Sequence, residues 1–298
     1  MTTTPEYAEN GKNWPGVSVV IPCHNAAATL THQLDALAAQ DYRGEWEIVI
    51  VDNLSTDNLA EVVDQYEGSL SGLRLVSARA RANPGYARNV GLKHAKHDRI
   101  LFCDADDFAS PGWLSFMTKA LEKAPLATGP FEFSQLNPPH VAASRGAQTS
   151  GLLNKFGFLP HGSTGNAGVW RHVHETIGGF DEAMPGLEDT DYFWRAQLAG
   201  FELAYAPEAV IHYRLRSDFT SILRQARQYA MGDVLLHKRY RSKGLAPITF
   251  VSGLKGWVRL VLYLPRIINA AGRVRFAWKL GYRIGRLRGA VSYRVFAL

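Results

Sequence analysis

Val17-Ser18-Val19-Val20-Ile21-Pro22-Cys23-His24-Asn25 sets the plan of this chain: a short β-branched run that stops abruptly in polar residues. A run this apolar, without alternation, suits a strand buried on both faces of a parallel sheet. The same unit recurs downstream. Trp46 to Val51 is a second run, ending in Asp52-Asn53; Leu73 to Ser77 is a third; Arg99 to Cys103 is a fourth, ending in Asp104-Ala105-Asp106-Asp107. Segments of helical period lie between them. Ala26 to Gln40 carries Leu30, Leu34 and Leu37 at helical spacing, Thr56 to Tyr66 follows an N-cap at Ser55 or Thr56, and Pro84 to Lys96 is opened by its proline. Ser110-Pro111 begins a further helix ending near Lys123. Strands alternating with helices build βαβ units, so the fold class is α/β: a Rossmann-like, mostly parallel sheet flanked by helices. Ligands of such sheets bind at the carboxyl ends of the strands, where this chain places its polar residues.

Composition agrees with a folded globular chain. The chain has 298 residues, 46% apolar and 20% charged, enough for one large α/β domain or two modest ones and unlike a disordered chain. The opening residues are polar and read as no signal peptide, and no stretch reaches the roughly 18 uncharged apolar residues of a membrane span. Two cysteines, Cys23 and Cys103, imply no disulfide framework, so a reducing, cytoplasmic setting is expected. The second half is more mixed. Residues 131–165, rich in Pro, Gly, Ser and His, read as a long loop with the character of a lid. Arg171 to Ile177 and Asp189 to Leu198 look helical, Phe201 to Tyr205 and Ala209 to His212 look like strands, and Ser217 to Tyr240 reads as a long helix.

Four places carry candidate chemistry. Asp104 and Asp106, one residue apart on an extended segment, point to the same side. Like charges this close at the end of a buried strand cost stability that a divalent cation relieves. Mg²⁺ or Mn²⁺ suits carboxylates plus substrate phosphates and serves the departure of a diphosphate. Asp52, after an apolar strand, can accept the N3–H of a uracil or thymine ring. Arg88, near the start of a helix, fits a phosphate site. Asn25 suits a base or ribose contact. Each has a plainer reading as a helix cap, a turn residue or a surface arginine.

Taken together, Val19-Val20-Ile21-Pro22-Cys23-His24-Asn25, Ile50-Val51-Asp52-Asn53-Leu54-Ser55-Thr56-Asp57, Gly85-Tyr86-Ala87-Arg88-Asn89-Val90-Gly91, Asp104-Ala105-Asp106-Asp107 and Gly178-Gly179-Phe180-Asp181-Glu182 with Glu188-Asp189-Thr190-Asp191 resemble glycosyltransferase family 2, in order and spacing, across residues 17–213. The resemblance implies a GT-A fold and an inverting transferase that uses a nucleotide-sugar donor with Mn²⁺ or Mg²⁺. It places Pro22, Asn25 and Asp52 at the nucleoside and Arg88 near the diphosphate. Asp104 falls at the ribose or metal, with Ala105 beside it at the donor, and Asp106 falls on the metal. It makes Asp189 the catalytic base, with Glu188 orienting the acceptor or its loop, and it offers His212 as a further metal ligand. One departure stands out: the family's Asp-Asp-Gly-Ser block reads Asp52-Asn53-Leu54-Ser55 here. His172 and His174 have no nearby carboxylate pair and read as structural.

The expected organisation is a flexible N-terminus (1–16), a GT-A domain (17–242, with a nucleotide-binding half 17–107 and an acceptor half 108–242) and a basic, amphipathic helical tail (243–298). Net charge is +6, yet residues 251–298 hold ten Lys and Arg and no Asp or Glu, so residues 1–250 carry 6 − 10 = −4. Such asymmetry points to an anionic partner. Either the tail anchors the protein peripherally on an anionic membrane, which suits a lipid-linked or glycan acceptor, or it packs as an ordinary helical pair on the domain. No nucleic-acid recognition motif accompanies the charge. Rival functions rank lower. A sugar-nucleotide pyrophosphorylase needs a glycine-rich first loop, which Pro22-Cys23-His24-Asn25 is not. A non-catalytic glycan- or nucleotide-binding scaffold or membrane adaptor would not need Asp106 and Asp189.

Overall fold

The computed structural model describes residues 14–70, 72–145 and 150–295. Most of the expected flexible N-terminus therefore lies outside the described residues. Along the chain run β1 (Val17–Cys23), α1 (Ala27–Ala38), β2 (Trp46–Asp52), α2 (Leu59–Asp64), β3 (Leu73–Ser77), α3 (Pro84–His94) and β4 (Arg99–Cys103). Then follow β5 (Phe108–Ala109), α4 (Trp113–Lys123), β6 (Leu126–Thr128), β7 (Phe131–Glu132), α5 (Pro139–Arg145), β8 (Leu153–Asn154), β9 (Pro160–His161) and β10 (Asn166–Trp170). The rest is α6 (Arg171–Ile177), α7 (Glu188–Leu198), β11 (Leu203–Tyr205), β12 (Ile211–His212), α8 (Phe219–Tyr240), α9 (Phe250–Tyr263), a 3₁₀ turn (Leu264–Ile268) and α10 (Ala270–Tyr293).

Seven strands form one sheet in the order β11-β6-β10-β4-β1-β2-β3, parallel except for β10, which runs antiparallel to both β4 and β6. Core side chains cover both faces. Val17, Val19 and Ile21 pack with Leu30, Leu34, Trp113 and Met117 on one side; Val20, Val49 and Val51 pack with Ala87, Leu92, Tyr192 and Phe193 on the other. Helix α3 lies directly on β1 and β2 because Gly91 leaves room: a Cβ there would come within 2.3 Å of Val20 Cγ1. That closeness fixes Arg88, one turn earlier on α3, against the strand ends. Helix α10 packs along α8 through a glycine edge. A Cβ on Gly281 or Gly285 would meet the carbonyls of Leu223 or Arg227 at 2.4 and 2.3 Å.

Several sequence expectations need correction. The segment expected as a helix from Thr56 to Tyr66 is helical only over Leu59–Asp64, because the Ser55 and Thr56 hydroxyls are engaged with Asn25 instead of capping a first turn. The region read as a long loop, 131–165, holds β7, α5 and the β8–β9 hairpin. Strand β10 was not foreseen: Asn166-Ala167-Gly168-Val169-Trp170 has little β-branched content, and its place is set by pairing on both sides. The strand after Ala209 is only two residues long. Of the tail's two readings, packing holds for α10, whereas much of α9 is exposed.

Candidate active site

The carboxyl ends of β1, β2 and β4 meet, as the switch-point rule requires. At the first, Asn25 adopts a left-handed backbone (φ 51°), which its short polar side chain tolerates. Its Oδ1 accepts from the Thr56 N–H (2.8 Å), and its own N–H donates to Ser55 Oγ (3.1 Å). Asp52 Oδ1 accepts the Ser55 N–H at 2.8 Å. Asn53, at the position of the altered family block, is buried. It donates to the carbonyls of Ala78 and Arg81 and accepts from the Asn83 N–H, which ties three loops together. Leu54, at the family's glycine position, sits at φ 63°, the left-handed region that disfavours a branched side chain. Pro22 pairs with Val51 in the sheet, and Ala105 is buried.

Arg88 is the hinge pin of the site. Only 4% exposed, it donates through one terminal nitrogen to Asp104 Oδ1 (2.9 Å) and through the other to Glu188 Oε1 (3.0 Å). Burial works against its charge, but Asp104 and Glu188 outweigh that and raise its pKa. Its Nε, buried, has no hydrogen-bond partner among the described residues. The resemblance put Arg88 at the diphosphate; here it joins β4 to the first turn of α7. Glu188 and Asp189 open that helix after Leu187, itself at φ 64°. Asp189 Oδ1 accepts the Thr190 N–H at 2.7 Å. Burial raises the pKa of both Glu188 and Asp189, against the pull of Arg88.

Asp106 is held by Arg216 (3.2 Å), and burial together with Asp104 raises its pKa. Asp107 is 0% exposed. One oxygen accepts the Arg214 N–H (2.7 Å), the other has no partner among the described residues, and burial plus Asp106 and Asp104 push its pKa well up. Gly165 lies so close that a Cβ would stand 2.9 Å from Asp104 Oδ2. Arg214, Arg216 and Gly165 escaped the sequence reading; their only signal was position, two and four residues past His212 and at the end of the presumed lid.

The adjacent carboxylates of Asp104 and Asp106, paired here with Arg88 and Arg216, are hard oxygen donors of the kind that suits Mg²⁺ or Mn²⁺. His212 stands apart from them. Its Nδ1 pairs with Glu132 (2.9 Å) and its ring stacks on Phe108 (4.4 Å between centroids), because β12 sits between β5 and β7. Hydrogen bonds from Ser134 and His212 overcome burial and hold Glu132 down to about 2. Among the described residues no group of three or more His, Cys, Asp or Glu side chains is arranged to hold a metal. The structure thus brings Asp104, Arg88, Glu188 and Asp189 together with Asp106 beside them, and does not join His212 to that set. Cys23 and Cys103 are buried and free, and burial pushes both thiols up.

This strand-end site on a GT-A sheet defines a nucleotide-sugar transferase class, and comparison with known proteins agrees. A model of glycosyl transferase family 2 matches residues 18–178, and one of glycosyl transferase family group 2 matches residues 100–292. The chain belongs to glycosyl transferase family 2. Among curated relatives, the poly(ribitol-phosphate) β-N-acetylglucosaminyltransferase TarS of Staphylococcus aureus is 38% identical over 93 residues, which are 30% of this chain and 16% of TarS. The putative glycosyltransferase EpsE of Bacillus subtilis is 25% identical over 232 residues, 74% of this chain and 80% of EpsE. Among solved structures, the mannosyltransferase PcManGT of Pyrobaculum calidifontis, in complex with GDP-Man and Mn²⁺, superposes with a TM-score of 0.60 at 21% identity, over 95% of this chain and 76% of that one. S. aureus TarS 1–349 in complex with UDP-GlcNAc gives 0.54 at 16% identity, over 94% and 93%. These likenesses establish the GT-A fold.

Proposed function

We propose that the protein is a metal-dependent, inverting glycosyltransferase that moves a sugar from a nucleotide-diphosphate donor, a UDP-sugar in first place, to an acceptor hydroxyl of a cell-surface polysaccharide or a lipid-linked glycan. The observation that carries this is the Arg88 fork. It ties Asp104, next to Asp106, to the Glu188-Asp189 pair at the strand ends, so a leaving group and an attacking hydroxyl can face each other there.

Pro22, Asn25 and Asp52 form the nucleoside end. With one Asp52 oxygen taken by Ser55, the other is left to accept the N3–H of uracil, a donor that cytosine lacks. Asp104 and Asp106 would hold the cation, with His212 Nε2 in reserve, and a cation bound there supplies charge neutralisation on the departing diphosphate. The Ala105 backbone lies at the donor, and Arg216 is placed to take phosphate charge. Asp189 accepts the proton of the acceptor hydroxyl as its oxygen bonds to the anomeric carbon. The carbon–oxygen bond to the diphosphate breaks on the opposite face, which inverts the centre. Burial makes Asp189 a stronger base than a solvated aspartate. Glu188, fixed by Arg88, orients the acceptor side.

A thermal-shift panel of UDP, dTDP and GDP with Mn²⁺ or Mg²⁺ tests the reading, since a ligand bound only by the folded state raises the melting point. UDP with Mn²⁺ is expected to give the largest rise. No rise with any nucleotide and metal would remove the donor site.

A further inference from the structure

Helix α9 and the turn after it present apolar side chains outward. At 100° per residue, Val251, Leu254, Val258, Val261 and Leu262 share one arc of about 100°, while Gly253 and Leu260 face the protein from the other side. Val251, Leu254, Val258, Val261 and Leu262 are between 49% and 66% exposed, and Ile268, in the turn that follows, is 84% exposed. A surface helix ordinarily shows the reverse pattern, and exposed apolar stripes of this kind mark interaction sites.

The rim of the stripe is cationic. Lys255 and Arg259 flank it along the helix; Arg266 and Lys279 lie over the Tyr263 ring at its end, and Arg273 donates to the carbonyls of Ile267 and Ile268. No acid occurs between residues 251 and 298 to offset them. This charge selects the occupant. A symmetric pairing of two copies through the stripe would set the same five cations against one another. An anionic lipid surface instead complements the rim and admits the aliphatic arc. Trp257, half-buried, borders the arc as an interfacial aromatic does. Among the described residues no helix is long and apolar enough to cross a membrane, so α9 would lie in the interface plane.

We infer that α9 with the Leu264–Ile268 turn is a peripheral docking surface for an anionic lipid bilayer. The pocket lined by Arg216, Trp278, Arg275 and Lys279 links this face to the site: Arg216 reaches Asp106 and Lys279 reaches Tyr263.

The test is sedimentation of the full chain with vesicles of phosphatidylglycerol and phosphatidylcholine against vesicles of phosphatidylcholine alone. It needs no nucleotide or sugar, so its outcome is independent of the transferase reading. The wild type should pellet with the anionic vesicles, at least ~10-fold more weakly with neutral ones, and less as salt rises. Val258→Glu with Leu262→Glu should abolish pelleting; Lys255→Gln with Arg259→Gln, which leaves the apolar arc intact, should weaken it by ~10-fold. Circular dichroism matching the wild type would show that these exposed substitutions leave the fold alone. Wild type that stays in the supernatant, variants that pellet like wild type, or a dimer in sedimentation equilibrium that Leu262→Glu dissociates would each overturn the proposal.

Discussion

Asp107 and Asp191 are both 0% exposed, and their surroundings could hardly differ more. Asp191 on α7 receives the Arg195 Nε (2.7 Å), an Arg239 nitrogen (3.1 Å) and the Tyr240 hydroxyl (2.8 Å); nearby, Arg239 also holds Asp181. There, Ala183 N–H and Arg239 outweigh burial and keep Asp181 below the usual carboxylate range. Asp107 has one backbone N–H, one unpartnered oxygen and two acidic neighbours that, with burial, push it up. Burial alone therefore does not mark a site. The difference lies in whether protein groups match the charge: α7's network is closed, whereas the loop after β4 leaves negative charge for something else to satisfy.

Substitutions can break this contrast, and the largest effect should fall on turnover. Asp106→Asn or Asp189→Asn should lower transfer by about 10³-fold. Asp189→Asn should keep its nucleotide-induced thermal shift, while Asp106→Asn should lose the metal-dependent part of it; wild-type rates in either variant would remove that residue from the mechanism. Asp191→Ala should act on stability instead. Leaving Arg195 and Arg239 without their buried partner should cost about 3–5 kcal/mol in urea unfolding.

The two clusters should also respond oppositely to pH. Asp181 has a depressed folded-state pKa, so its contribution is present above the unfolded value and is lost as pH falls through the folded one. Asp107 has a raised one, so its contribution is present below the unfolded value and is lost as pH rises through the folded one. Melting curves across pH should show Asp181→Asn flattening the acid limb and Asp107→Asn flattening the decline on the rising side. Identical profiles would erase the distinction. The smallest effect belongs to Leu54→Gly, which relieves a left-handed leucine and should gain ~1 kcal/mol in the same urea experiment.

Sequence patterning was enough for the strands of the first hundred residues. The apolar runs that form β1, β2 and β4 end within a residue or two of where periodicity puts them, because both faces of each strand are buried and the pattern has no freedom. Asp104, Arg88, Glu188 and Asp189 were likewise visible, as members of motifs. What they do to one another was not. Arg88 stands out as a motif arginine, but only the fold brings Glu188 to it across 100 residues. Nothing near His212 in sequence announces Glu132, which β7 brings alongside its Nδ1. Strand β10 owes its existence to neighbours rather than to its own residues, and α9's outward stripe looks in sequence like any amphipathic helix until α8 is seen to be covered by α10.

The Arg88 fork has a practical consequence for anyone who would retool this scaffold. One guanidinium staples the loop after β4 to the first turn of α7, and each arm is a charge-assisted hydrogen bond of about 1.5–3 kcal/mol. A transplanted segment spanning residues 178–191 would have to present a carboxylate at the same reach. Without one, the graft would unbalance Asp104 as well, so a change made on one side of the guanidinium is felt on the other.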